Sequence, residues 1–253
     1  MSRSNSLSDD QLDRYARHIV LREIGGEGQR RLLGATVAIV GAGGIGSPVI
    51  QYLAAAGVGT LRVIDDDTVA RSNLQRQTLF ATRDVGSGKV AMAANVVQRL
   101  NPDVRIDGRP QRLEADNATA LLEGADVVLD GSDSFATRLI VSDAATALRI
   151  PLVSAAVGQF EGQLAVYRGW EAGAPCYRCL VGEAPEGPDV SCADQGVLGA
   201  LTGVIGSLAA VEAVRAIVPF GADPVGRLLI VDALAFRFRT ITLGKDPGCR
   251  CAA

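Results

Sequence analysis

Thr36-Val-Ala-Ile-Val-Gly-Ala-Gly-Gly-Ile-Gly46 is the stretch on which the fold of this chain turns. Thr36 to Val40 is a continuous apolar, β-rich run bounded by glycine, the pattern of a strand buried in a parallel sheet. Gly41, Gly43 and Gly46 follow it, and a helical pattern then runs to Ala56, where Gly57 stops it. Glycines in this spacing permit a tight turn and let backbone N–H groups approach a phosphate at a helix N-terminus. Leu61 to Ile64 reads as the next strand and ends in Asp65, Asp66 and Asp67. Asp65 falls about 20 residues beyond the glycine loop, where a carboxylate can accept hydrogen bonds from ribose hydroxyls. Nucleotide binding follows from this pattern. The identity of the nucleotide does not, and on these residues alone NAD is the default.

Outward from that unit, Ser8 and Gln11 form a capping box that predicts a helix through about Glu23, ended by Gly25, Gly26 and Gly28. Lys89 to Leu100 reads as a helix and Val104 to Ile106 as a weak strand. Residues 116–123 read as a short helix, Val127 to Asp130 as a strand, 135–149 as a helix and Pro151 to Val157 as a strand. This alternation predicts an α/β fold with a Rossmann-like, doubly wound parallel sheet. Beyond residue 160 the pattern changes. Gln163 to Tyr167, Arg227 to Val231 and Phe236 to Leu243 read as strands, the last alternating as a half-buried antiparallel strand does. Residues 182–196 read as a mobile loop. The expected organisation is a single unit: a helical segment over 1–34, a nucleotide-binding core over 35–160, and a part over 161–253 built onto the same sheet.

Composition narrows the function. The chain has 253 residues, 48% of them hydrophobic, so a sizeable core can be buried. Net charge is −3 with both signs interspersed, which argues against a nucleic-acid or anionic-membrane surface. The serine-rich N-terminus has no apolar segment of a secretory signal. The uncharged run Val197–Val211 is shorter than the ~20 residues that span a bilayer and reads as a buried helix of a soluble, cytoplasmic protein. The single histidine, His18, excludes multi-histidine metal sites and neighbours Arg17 on the first helix, where packing is its default role.

Asp66-Asp-Thr-Val-Ala-Arg-Ser-Asn-Leu-Gln-Arg-Gln77 and Gly88-Lys89 move the reading from NAD toward ATP. A dinucleotide fold has no need of such a segment. A triphosphate carries several negative charges that call for Arg and Lys near a magnesium ion. Arg76 and Lys89 can supply the cations, and Asn73 and Gln77 hydrogen bonds to phosphate or substrate. The plain alternative is a solvated polar loop, since charge runs are usually surface.

Arg14-Tyr-Ala-Arg17, the glycine loop, Ser72-Asn-Leu-Gln-Arg-Gln77, Glu161-Gly-Gln163, Cys176-Tyr-Arg-Cys179, Ser191-Cys-Ala193 and Gly203-Val-Ile-Gly-Ser207 together resemble the E1-like ThiF/MoeB/HesA family. The resemblance covers nearly the whole chain. It implies ATP-dependent adenylation of the C-terminal Gly-Gly carboxylate of a ubiquitin-like sulfur-carrier protein, for thiamin or molybdopterin synthesis. By that resemblance Gly41, Gly43 and Gly46 form the nucleotide floor and Asp65 holds the ribose. Asn73, Arg76 and Lys89 contact the phosphates, and Asp133 is the magnesium-associated carboxylate. The family usually has Asp-Asn there, whereas this chain has Asp133-Ser134. Arg17 matches an arginine that reaches the partner subunit's triphosphate, which implies a homodimer. The part over 161–253 then binds the carrier. The chain stops just after its cysteine tail with no sulfur-donor domain, so sulfur is expected from a separate protein. An NAD-dependent oxidoreductase is the alternative, supported only by the glycine loop and Asp65.

Five cysteines lie in the last third of the chain. Cys176-x-x-Cys179 is half of a zinc site, and thiolates favour tetrahedral zinc. Cys249 and Cys251 would supply the other half and clip the chain end to the 176–179 turn as a structural site. The family usually has Cys-x-x-Cys at this second pair, one residue longer. Free thiols or a disulfide are the alternatives to zinc. Cys192 is a thiol positioned to meet the activated carrier, or else an incidental loop cysteine.

Overall fold

The computed structural model describes residues 6–183 and 196–252. An eight-stranded sheet forms its centre. Five parallel strands come first: β1 (Thr36–Val40), β2 (Thr60–Ile64), β3 (Arg105–Arg109), β4 (Val127–Asp130) and β5 (Leu152–Gly158). β6 (Glu161–Tyr167), β7 (Arg227–Asp232) and β8 (Arg237–Thr242) continue the sheet antiparallel. The order across the sheet is β3-β2-β1-β4-β5-β6-β7-β8. The chain therefore starts a strand in the middle, winds to one edge, and returns to wind the other way. That reversal between β1 and β4 opens a crevice at the carboxyl ends of the strands, where α/β sheets bind ligands.

Helices cover both faces, as a buried parallel sheet requires. On one face pack α4 (Gly46–Ala55), α5 (Lys89–Leu100) and a long helix, α9 (Gly199–Ile217), through Ile50, Leu53, Val97, Ile205 and Ala209 against Val37 and Ile39. On the other pack α6 (Ala118–Leu122) and α7 (Phe135–Leu148), through Leu122, Leu139 and Ala145 against Ala38 and Val128. Alternate residues of one strand thus feed opposite cores, the period-two geometry of an extended chain. α9 is apolar and long enough to pass as a membrane span by length and composition, yet it lies against α4, β5 and β6. A short helix, α8 (Tyr177–Val181), carries the first cysteine pair.

Three expectations are corrected. The first helix does not run unbroken to Glu23: α1 (Asp9–Arg14) and α2 (Ala16–Ile19) are separated at Tyr15, whose backbone sits at φ −101°, ψ 12°. Tyr15 is buried, and its hydroxyl accepts a hydrogen bond from Asn101 Nδ2 at 2.8 Å. That tertiary anchor turns the chain. Second, the glycines at 25, 26 and 28 do not terminate helix; they open α3 (Gly25–Gly34). Gly28 is needed for packing, since a Cβ there would lie 2.9 Å from Val218 Cγ1. Third, β8 is exposed at all six positions rather than half-buried: it is the outermost strand among the described residues, and the one element against which it packs extensively is β7.

Candidate nucleotide-binding site

The crevice above β1, β2 and β4 holds a cleft of about 320 Å³. Gly41, Gly43, Asp65, Asn73, Arg76, Gln77, Lys89 and Asp133, all singled out from the sequence, line it together. They arrive from separate places: the turn after β1, the end of β2, the irregular stretch 66–86, the first residue of α5, and the turn after β4. Gly46 lies beneath the cleft rather than in it. A Cβ at that position would stand 2.0 Å from the Gly41 carbonyl oxygen, so glycine is what lets the turn close on itself.

Asp65 braces the glycine loop. Its Oδ2 accepts the Ala42 N–H at 2.8 Å and its Oδ1 the Asp67 N–H at 2.9 Å. Burial pushes its carboxyl above the usual carboxylate range, against the opposing pull of the Lys89 ammonium and these two N–H donors. Lys89 is itself buried, 3% exposed, and donates to Asp67 Oδ2 at 2.7 Å. Arg76 donates to the Ser72 carbonyl at 3.3 Å and to Asn73 Oδ1 at 3.2 Å, which folds the 72–76 turn around its guanidinium. Gln77 is 4% exposed and its Oε1 has no partner among the described residues. A buried amide oxygen left without a donor is a ready contact for a bound molecule.

Asp133 is exposed on the turn joining β4 to α7. Ser134, where the family has asparagine, is the N-cap of α7: its hydroxyl accepts the Thr137 N–H at 3.3 Å. Serine is among the preferred residues for that position. The departure from the family pattern therefore leaves the helix start intact.

Sequence reading missed Gln111, Arg112 and Leu113, which line the cleft beyond β3, and Ser132, Arg138 and Thr202. The first three follow a strand's carboxyl end, the place the fold rule points to. Arg138 sits inside a helix and carries no local signal. Arg17 is not brought to this cleft: it is exposed on α2. Beside it, His18 Nδ1 lies 3.2 Å from Gln29 Oε1, and Gln29 Nε2 donates to the Ala56 carbonyl at 2.9 Å, a packing role. Arg14 Nη1 donates to the Leu100 carbonyl at 3.2 Å and ties α1 to the end of α5.

Far along the chain, four cysteines converge. Cys176 Sγ is 3.9 Å from Cys179 Sγ and 3.6 Å from Cys249 Sγ, and Cys179 Sγ is 3.5 Å from Cys251 Sγ. None of the four is disulfide-bonded, and burial pushes the Cys176 thiol up. Cys192 and most of the 182–196 stretch lie outside the described residues.

The glycine loop, the 72–77 turn, the Lys89 and Asp133 positions and the cysteine cluster thus occur in one chain, in one order. The ThiF family pattern matches residues 15–251 of it. The chain belongs to the ThiF family. Among its ThiF-family relatives are the SAMP-activating enzyme E1 of Haloferax volcanii and the sulfur carrier protein adenylyltransferase of Thermus thermophilus. Each is 47% identical over 245 residues, with 90% of the relative covered and 96% and 95% of this chain. The adenylyltransferase and sulfurtransferase MOCS3 of Bos taurus is 47% identical over 246 residues, covering 96% of this chain and 54% of the longer relative. Among solved structures, Escherichia coli MccB with ATP superposes with a TM-score of 0.82 at 21% identity, over 95% of this chain and 75% of MccB. That likeness carries the fold.

Proposed function

We propose that this protein uses ATP to adenylate the C-terminal glycine carboxylate of a ubiquitin-like sulfur-carrier protein. The observation that carries this reading is the meeting of Asn73, Arg76, Lys89 and Asp133 around the glycine loop, a polar pocket lined by cations, amides and carboxylates together. The names and high identity of the Haloferax and Thermus relatives support it. The NAD-dependent alternative has nothing beyond the glycine loop and Asp65.

In this mechanism the backbone N–H groups of the Gly41–Gly46 turn and the amino end of α4 receive phosphate, and Asp65 takes the ribose hydroxyls. Arg76 and Lys89 neutralise the triphosphate, and Asn73 and Gln77 fix its orientation. Asp133 offers the carboxylate that would hold magnesium, which supplies charge neutralisation for the leaving group. A carrier carboxylate oxygen forms a bond to the α-phosphorus, the bond to the bridging oxygen of the β-phosphate breaks, and pyrophosphate departs with the electron pair. The nucleophile is ionised at neutral pH, so no general base is called for and positioning does most of the work.

The cysteine cluster fits structural zinc. A tetrahedron with Zn–S of about 2.3 Å sets its sulfurs about 3.8 Å apart, and the closest pairs here lie at 3.5–3.9 Å. Cys176, Cys179, Cys249 and Cys251 would hold it, the shorter Cys-x-Cys tail included. Supporting a homodimer, an apolar hollow of about 450 Å³ is lined by Leu21, Ile24, Tyr52, Val211 and His18, the last being the sequence neighbour of Arg17. Arg17 then acts in the partner's cleft. The chain works as one adenylation unit in the cytoplasm, with residues 161–253 meeting the carrier and sulfur supplied by a separate donor protein.

ATP–pyrophosphate exchange with magnesium and a panel of Gly-Gly-ending carriers tests the proposal. Exchange that requires one carrier and vanishes in Lys89→Ala supports it. Absence of exchange with every carrier, together with measurable NAD binding, overturns it.

A further inference from the structure

Ser132 is the middle of the short turn between β4 and α7, and two buried charged side chains hold its backbone from opposite sides. Asp130, fully buried at the end of β4, accepts the Ser132 N–H on Oδ1 at 2.9 Å. Arg138, 8% exposed in the second turn of α7, donates from Nη2 to the Ser132 carbonyl oxygen. The next residue is Asp133, whose carboxylate lines the cleft. Beyond it, Ser134 caps α7. Burying a carboxylate and a guanidinium is costly unless each is well partnered; each grips one loop residue's main chain, while Asp130 Oδ2 and Ser132 Oγ have no hydrogen-bond partner among the described residues.

We propose that Asp130 and Arg138 are positioning residues that clamp Ser132 and so aim Asp133 into the cleft. The inference rests on the adenylation reading for what Asp133 holds, and on geometry alone for how Asp133 is held. A turn free to shift by about 1 Å would forfeit roughly 100-fold in a reaction that depends on placement. Arg138 also lines the cleft, so direct contact with phosphate is the rival role: it would weaken ATP with and without metal alike, whereas the clamp weakens the metal-bound form.

The test compares wild type with Arg138→Met, which keeps the side-chain stem and removes the donors, and with Arg138→Lys, which keeps one donor. Calorimetry measures binding of ATP with Mn²⁺ and of ATP in EDTA, and crystal structures of the variants report the 131–134 turn. Expected are a displaced turn in Arg138→Met, binding of Mn²⁺–ATP weakened roughly tenfold or more, metal-free ATP within about twofold of wild type, and partial recovery in Arg138→Lys. An unmoved turn, or equal loss of both forms of ATP, overturns the inference. A displaced turn in a protein whose wild type binds no Mn²⁺–ATP upholds the clamp and overturns the adenylation reading instead. If Arg138→Met does not fold, Arg138→Lys decides by the same bias between the two forms of ATP.

Discussion

The Lys89 ammonium reaches past Asp65 to Asp67: it lies 2.7 Å from Asp67 Oδ2 and 3.8 Å from Asp65 Oδ2. The lysine side chain is 4% exposed and that of Asp67 66%. A nearly buried cation is thus held by a carboxylate that can swing into solvent. An arriving phosphate can replace the acid without moving the lysine. Lys89→Ala is expected to lower carrier-dependent exchange roughly 100- to 1,000-fold, the usual loss when a group that stabilises developing charge is removed. Asp67→Ala is expected to stay within about tenfold, since water and phosphate can take over from an exposed partner. Equal losses in the two variants would mean that Asp67 itself belongs to the reacting site.

Asp65 gives a pH signature. Burial raises its carboxyl above the ordinary value, so the folded state favours the protonated form. The stability this group contributes is then fully present below the unfolded carboxylate pKa and is lost as pH rises through the folded one. Asp65→Asn does not titrate. The unfolding midpoint of wild type relative to Asp65→Asn should therefore be more favourable at pH 4 than at pH 7, measured without nucleotide. A difference that grows toward pH 7 would show that the Lys89 attraction outweighs burial.

Arg17 is tested by mixing. Arg17→Ala and Lys89→Ala proteins are each expected to be inactive alone. If Arg17 serves the partner's cleft, unfolding and refolding them together makes mixed dimers with one intact site, and about a quarter of wild-type activity returns. An arginine acting within its own subunit would leave every mixed dimer dead.

The cysteine clip is tested by removal. A strong chelator or Cys251→Ser should release one zinc per chain and lower the unfolding midpoint by several degrees, at about 2–4 °C per kcal/mol for a chain of roughly this size. Metal analysis that finds no zinc, with the midpoint unchanged by chelator, would assign the four thiols to packing.

Much of the parallel half was legible from local pattern. Val127–Asp130 is a buried apolar run, and Lys89–Leu100 has its stop in Asn101-Pro102, so β4 and α5 fall where the residues place them. Most of the cleft residues were legible because glycine turns, a strand-end acid and an Arg-Lys pair have few other uses together; Asp133 was legible only through the family resemblance. What was not legible depended on distant partners. Tyr15 breaks a helix because Asn101 holds its hydroxyl. Gly28 sits inside a helix because Val218 crowds it. Arg138 looks like any helix residue until the turn before α7 folds back to its guanidinium.

β8 has a consequence for how the purified protein behaves. No strand pairs beyond it among the described residues. Phe238 and Ile241 are exposed upon it, and Phe236 and Leu234 stand out in the hairpin beside it. An open edge of this kind is a template on which other chains can stick. Arg237 and Arg239, alternating along the same strand, are its guard, since two such edges meet with like charges opposed. That guard is electrostatic and weakens as salt shortens the screening length to a few ångströms. Concentrated salt, so often a stabiliser, is the condition in which this protein should clump.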